Sequence, residues 1–328
     1  LQIPKKNWIN LTDSEKEIIV EEVFHHYRSV GFPYYPTDSE YRQNEFRKLK
    51  SFDYRNCIDY DNKTIKQTMH GLALAWSYFP HSWSVRCNGL MTPMDLFSDD
   101  EKFKAVIRRR MKLGDNISDS GIRKMLKMFS GAQSVSNFRP TAAAAIYSVF
   151  SEEGDTVYDM SCGFGGRLIG ATIANRKYVG VDPSTKTYKG LLELSRDFDH
   201  SANLLNAGSE SFRQQENSID LCFTSPPYFD TEVYADEPTQ SCIKYPAKDV
   251  WFDGFLADTL SNCHHSLKSG KFCLINIANT KKVPDMVERT VMTAEYVGFK
   301  HVDTWQYALS SSTTAGFKNE PILVFRKN

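Results

Sequence analysis

The chain has 328 residues, 41% of them hydrophobic and 24% charged, and its 40 basic and 40 acidic side chains cancel to zero net charge. That composition describes a globular protein with room for two ordinary domains, and it excludes collagen-like, disordered and disulfide-framework classes. No run of about 18 uncharged apolar residues occurs, so no membrane span is expected.

The opening Leu1-Gln2-Ile3-Pro4-Lys5-Lys6 lacks the apolar stretch of a secretory signal. Seven cysteines form no CxxC pair and no Cys/His group at zinc spacing. Buried reduced thiols, no metal and a cytoplasmic location are the resulting expectations.

Residues 1–130 are expected to form a mainly helical domain, separate from 131–328. Asp13-Ser14-Glu15 opens a helix to about Ser29, with Ile18, Ile19, Val23 and Tyr27 at amphipathic spacing. The loop Gly31 to Pro36 ends it, and a second helix runs from about Ser39 to Lys50. Residues 64–79 are expected to be helical. Two further helices, Asp99 to Met111 and Ser118 to Phe129, carry most of a basic belt. Between Glu101 and Pro140 ten Lys/Arg face only Glu101, Asp115 and Asp119, a local net charge of +7. Such a belt on a neutral protein suits a polyanion. Arg108, Arg109, Arg110, Lys112, Arg123 and Lys124 are the candidate nucleic-acid contacts, for phosphates rather than bases.

From about residue 137 strands and helices alternate, the pattern of an α/β sheet. Thr141 to Phe150 is an alanine-rich helix, Thr156 to Asp159 a strand, Met160 to Gly166 a loop and Arg167 to Asn175 a helix. A second strand, Tyr178 to Val181, ends on Asp182. A helix to Phe198 and a third strand, Ala202 to Asn206, follow. The apolar run Ile219 to Phe223 reads as a buried parallel strand. Thr224-Ser225-Pro226-Pro227-Tyr228 must take the chain out of the sheet there, because neither proline can donate to a ladder. Residues 229–249 show no periodicity and are a candidate lid over a target base, with Tyr234 or Gln240 as contacts. A helix to about Leu267, a strand Phe272 to Ile277 and a helix Pro284 to Glu295 come next. Two last strands, Lys300 to Tyr307 and Pro321 to Arg326, flank a Ser/Thr-rich loop, Ser310 to Phe317, expected to be mobile.

The turn Asp159-Met160-Ser161-Cys162-Gly163-Phe164-Gly165-Gly166 follows a strand and opens a helix, which lets a ligand approach the backbone closely. Asp182, 23 residues after Asp159, is placed for the two hydroxyls of a ribose. The glycine spacing is not GxGxxG and no GxxxxGK[ST] occurs, so a nucleoside without a pyrophosphate is the expected ligand. Gly208-Ser209-Glu210 lies at the next crevice position, where Ser209 and Glu210 would meet an adenine edge.

Asp159-x-x-x-Gly163-x-Gly165, Asp182 and Thr224-Ser225-Pro226-Pro227-Tyr228, in this order, resemble the S-adenosylmethionine-dependent amino-methyltransferases. Those enzymes methylate N6 of adenine or N4 of cytosine in DNA. Asn137-Phe138-Arg139-Pro140-Thr141 looks like the family segment beside the cofactor's methionine moiety. The resemblance covers residues 137–328. It implies an α/β fold, a Rossmann-like class I methyltransferase sheet preceded by a mainly helical domain, with S-adenosylmethionine as cofactor and DNA as partner. By the same resemblance Phe138, Arg139, Thr141, Asp159, Ser161, Gly163, Gly165 and Asp182 would bind the cofactor. Ser225, Pro226, Pro227 and Tyr228 would carry catalysis on a base flipped from the duplex, without a metal. A serine at the head of the motif leans towards N4 of cytosine.

The chain ends after the last strand, so target recognition is expected in residues 1–130 rather than in a C-terminal domain. An RNA-base or protein-glutamine methyltransferase with the same core is one alternative, although such relatives more often carry Asp or Asn where Ser225 stands. A DNA-binding module with an inactive core is another.

Overall fold

The computed structural model describes residues 1–198, 202–309 and 319–328. It forms two compact units, Leu1–Pro36 with Pro80–Ser136, and Thr37–Phe79 with Asn137–Asn328. The Ser/Thr-rich loop Ser310 to Phe317 lies outside the described residues.

The first unit holds the helices Asp13–Val30, Pro93–Ser98, Asp100–Lys112 and Asp119–Met128. Thr12 and Glu15 close a reciprocal capping box at the start of Asp13–Val30, satisfying two backbone donors that the helix itself cannot pair. Thr92 and Asp95 repeat the device at Pro93–Ser98. Val20, Val23, Phe24 and Tyr27 meet Phe103, Val106 and Ile107 and also Ile122, Met125 and Leu126 in one core, with Trp8 and Trp83 among its members.

The second unit is built on one nine-stranded sheet. Its strands are β1 (Ile58–Asp59), β2 (Thr64–Ile65), β3 (Thr156–Asp159), β4 (Lys177–Val181), β5 (Asn203–Leu205), β6 (Ile219–Thr224), β7 (Leu267–Asn276), β8 (Phe299–Ala308) and β9 (Asn319–Lys327). Their spatial order is β1-β2-β8-β9-β7-β6-β3-β4-β5. The run β7-β6-β3-β4-β5 is parallel throughout, and β9 is antiparallel to both of its neighbours. This is the Rossmann-like class I methyltransferase sheet that the sequence led us to expect. The chain reverses direction across the sheet between β3 and β6, so the carboxyl ends of β3, β4 and β6 border the crevice where ligands of open α/β sheets sit.

Packing explains why the sheet's helices lie close. Every residue of β6 is buried, as a central parallel strand requires. The alanine-rich helix Pro140–Phe150 approaches the helix Gly166–Ile173 so tightly that a Cβ on Gly170 would come within 2.6 Å of Ala143 Cβ. On Gly166 it would lie 1.8 Å from the Phe138 carbonyl oxygen, so only glycine fits there. Trp251, Phe252, Leu256, Leu260 and Met286 share a core with Tyr158, Val179 and Ile275. Among the described residues no helix is long and apolar enough to cross a membrane.

Two sequence expectations differ from this arrangement. Residues 37–79, assigned to the N-terminal domain on sequence, belong to the second unit. Arg42 is the reason at one end: its buried guanidinium lies over the Tyr78 ring, 3.7 Å from the centroid, and bonds to Ser77 and Glu193. At the other end β2 adds to the sheet beside β8, pairing Thr64 with Gln306 and Ile65 with Tyr307. Within 64–79, expected to be helical, only Leu72–Trp76 is an α-helix. Ile65, a β-branched residue, is fully buried in β2 instead.

Candidate active site

The carboxyl end of β3 places Asp159 at the centre of the crevice floor with no exposed surface. Its carboxylate accepts hydrogen bonds from Arg167 Nε (2.8 Å), the Tyr178 hydroxyl (2.5 Å), the Thr224 hydroxyl (2.8 Å) and the Ser161 amide (3.1 Å). A carboxylate offers about four acceptor sites, and here protein donors take all of them. Asp159 therefore ties β3, β4, β6 and the helix Gly166–Ile173 together and has nothing left for a cofactor. This corrects its expected role as a direct ligand.

Asp182, beyond β4, is different. It is 8% exposed and, among the described residues, accepts two backbone hydrogen bonds, from Gly163 (2.9 Å) and Ser184 (3.0 Å). Burial pushes its carboxyl up to about 7, against the pull of those two amides. A half-satisfied buried carboxylate beside a glycine turn fits a ligand that brings two hydroxyl donors. Gly163 completes the cradle. Its φ is +56°, and on its Cβ side the nearest atom, Ser161 O, is 3.9 Å away, so that face is open. Gly165, with φ +72°, has Leu194 and Phe79 on its Cβ side and serves packing. The Ser161 hydroxyl is half-exposed and bonds its neighbour's carbonyl, Met160 O.

The remaining cofactor candidates divide. Phe138 is buried, stacked on Tyr307 with centroids 4.7 Å apart and edge-on to Phe223. Arg139 donates through Nη1 to Asn137 O, while its Nε is buried without a partner among the described residues. Thr141 is fully buried and shares a hydrogen bond with Thr68, so it leaves the cofactor set. Ser209 leaves it for the same kind of reason: it is 2% exposed and its hydroxyl meets Thr259 at 2.8 Å. Glu210 is held by Lys244 at 2.7 Å with its side chain nearly covered. Asn206 was missed. Its amide nitrogen donates to Asp182 O, and its amide oxygen accepts from the Thr185 hydroxyl, bracing the corner around Asp182.

At the end of β6 the Thr224 hydroxyl points back to Asp159, and the next residues turn out of the sheet. Pro226 is buried, whereas Ser225, Pro227 and Tyr228 keep partial exposure. Phe229 follows with φ +56°, a left-handed conformation that costs a non-glycine residue about 1–2 kcal/mol, so the turn is tight. The Tyr228 hydroxyl donates to Glu320 Oε2 at 3.4 Å. Burial, then the nearby Glu320 carboxylate, push Glu232 up to about 7.

Part of the stretch 229–249, expected as a lid over the target base, packs on the segment that follows β4. Glu237 accepts from the Thr185 amide (3.0 Å) and hydroxyl (2.7 Å), and Thr239 donates to Pro183 O. Tyr234 sits 6.1 Å from the Phe164 ring of the glycine turn. Gln240 is 5% exposed and its amide Nε2 is buried without a partner among the described residues.

The basic belt, which belongs to the first unit, is partly spent on its own structure. Arg110 is 8% exposed, bonded to Asp115 and to Asn116 O, and is corrected to a structural residue. Arg123 donates to Pro33 O and lies over the Tyr35 ring at 4.0 Å. Arg108 pairs with Glu17. Arg109, Lys112 and Lys124 are exposed and make no ion pair among the described residues. Sequence spacing also did not reveal that Cys222, Cys263 and Cys273 converge, their sulfurs within 4.8 Å of one another. All three are buried in the second unit's core, where they fill space as small apolar side chains do.

No protein-family model and no curated protein matches the chain. Solved structures resemble its fold. One is a SAM-dependent O-methyltransferase from Thermotoga maritima, at 12% identity and a TM-score of 0.41, covering 59% of this chain and 67% of that one. Another is a methyltransferase from Pyrococcus furiosus, at 12% identity and 0.41, covering 67% and 97%. A third is a TehB-like SAM-dependent methyltransferase from Corynebacterium glutamicum, at 16% and 0.38, covering 64% and 97%. These are likenesses of fold alone, and the activities in those names belong to those proteins.

Proposed function

We propose that this chain is a methyltransferase that uses S-adenosylmethionine to methylate an exocyclic amino group of a DNA base, N4 of cytosine ahead of N6 of adenine. One observation carries the reading. The donor-poor turn Ser225-Pro226-Pro227-Tyr228 leaves the carboxyl end of β6, adjacent in the sheet to β3, whose glycine turn donates to the half-satisfied Asp182. When bound, S-adenosylmethionine supplies a methyl group activated on a sulfonium. Asp182 would hold its ribose hydroxyls, Gly163 would let it approach the backbone, and Phe138 and Arg139 would lie beside its methionine end.

Exocyclic base amines are poor nucleophiles because the lone pair is delocalised into the ring. The Ser225 hydroxyl and the Pro226 carbonyl would accept from the amine N–H groups and favour the tetrahedral nitrogen as the bond forms. Tyr228 would stack on the flipped base. Offering DNA, RNA and protein together with methyl-labelled cofactor tests the choice of polymer. Label in DNA supports the reading, and label confined to RNA or protein contradicts it.

Two expected results follow from placement. Ribose hydroxyls bind the ionised form of Asp182, whose carboxyl sits at about 7 before binding. Cofactor affinity should therefore be full above that pH and fall up to about tenfold per unit below it, and Asp182→Asn should flatten the profile in calorimetric titrations. For DNA, replacing Arg109, Lys112 and Lys124 with glutamine should weaken binding and reduce the salt slope by up to about 2.7, at ~0.9 per phosphate contact. An unchanged slope removes these residues from the interface.

A further inference from the structure

Amine methylation leaves a proton to be placed. A neutral nitrogen that forms a bond to a methyl group with its lone pair carries one proton too many, and a serine hydroxyl is too weak a base to keep it. We propose that Ser225, Tyr228 and Glu320 form the exit route for that proton, with Glu232 as the carboxyl that shares it; this rests on the amine-methylation reading above.

The groups follow one another from the turn into the sheet. Tyr228 lies three residues after Ser225 on the same turn, where burial raises its phenol well above the usual range and the Ser225 hydroxyl acts against that rise. The phenol in turn donates to Glu320 Oε2 at 3.4 Å, a long bond of the kind that tightens when substrate closes a site. Glu320 is fixed by the sheet, because in β9 it pairs with Tyr307 of β8. Among the described residues, Glu232 repels Glu320, and Arg139 with Glu320 acts on the Tyr307 phenol. Burial and the Glu320 charge push Glu232 up to about 7. A buried carboxyl that faces a second negative charge ionises less readily, so Glu232 keeps its proton up to about neutral pH.

The step balances. The nitrogen lone pair forms the N–C bond while the C–S electron pair stays on sulfur. The nitrogen's surplus proton passes to Ser225 Oγ as the serine proton moves to the Tyr228 oxygen and the phenol proton moves to Glu320. The net change is one proton transferred from nitrogen to a carboxylate, with serine and tyrosine restored.

Tyr228→Phe keeps the ring and deletes the middle hydroxyl, and Glu320→Gln deletes the acceptor. Each is expected to slow single-turnover methylation about 100-fold while leaving cofactor affinity within about twofold. Both should also abolish the wild-type solvent deuterium isotope effect, and Glu320→Asp should restore part of the rate. Without cofactor or DNA, infrared titration should show Glu232 ionising near 7 in the wild type and moving down in Glu320→Gln. Rates for both variants within about twofold of wild type overturn the relay, as does an unmoved Glu232 in Glu320→Gln. If the wild type methylates no base while Glu232 titrates as expected, the amine reading has failed and takes the relay with it. If the wild type methylates and both variants match it, the relay alone has failed.

Discussion

Replacing Asp159 with asparagine is expected to cost about 3–5 kcal/mol of stability, because it leaves a buried arginine without its counter-charge. Arg167 is 4% exposed, and its Nε bonds Asp159 at 2.8 Å. The same change takes acceptor strength from the Tyr178 and Thr224 hydroxyls, so three strands and a helix loosen at once. In a domain of this size that is a fall of about 6–20 °C in melting temperature. Asp182→Asn is the control. The Asp182 carboxyl is raised in the folded state, so its ionisation costs stability as pH climbs through about 7. An amide removes that cost, and the variant should melt no lower than wild type at neutral pH while losing cofactor affinity. Calorimetric melting separates the scaffold carboxylate from the binding one. Equal melting temperatures for both variants would contradict the division.

That division marks the limit of what the sequence carries. Both aspartates end strands and both stand near glycines, so pattern alone gives them the same role. The difference lies in Arg167 and Tyr178, which reach Asp159 across the fold and leave Asp182 with backbone donors only. The Pro-Pro turn was legible because two prolines after an apolar run admit little else, and the sheet followed from alternating strands and helices. Residues 37–79 were not legible in this way. They join the sheet through two-residue strands, β1 pairing with β2 and β2 with β8, which is more than two hundred residues away in sequence.

Arg110 shows a signal that was present and outweighed. Phe103, Val106, Ile107, Arg110 and Met111 fall at helical spacing on the buried face of Asp100–Lys112. Charge drew attention to the Arg108-Arg109-Arg110 run, while periodicity places its third member inside. Thr141 similarly stands in the first turn of a helix whose residues from Pro140 to Tyr147 are all buried. Glu320 could not have been found from local sequence, since only the order of β7, β9 and β8 brings it to Tyr228.

The second large effect concerns Tyr228 itself. Tyr228→Ala should lower methyl transfer by about 500- to 15,000-fold, combining lost base stacking, worth ~1–3 kcal/mol, with about 100-fold from the loss of its hydroxyl. Cofactor binding should stay within about twofold, because the ring hydrogen-bonds to Glu320 rather than to Asp182 or Gly163. Calorimetry beside single-turnover kinetics reads both. Parallel loss of binding and rate would mean that the ring only supports the fold.

The central claim is that an amine on a base receives the methyl group. The direct test is to incubate the protein with DNA and methyl-labelled S-adenosylmethionine, digest to nucleosides and identify the labelled product. The account predicts N4-methylcytosine, or failing that N6-methyladenine, from the wild type and neither from Tyr228→Ala. Label on a ring carbon, or no labelled nucleoside from protein that binds the cofactor, would contradict it.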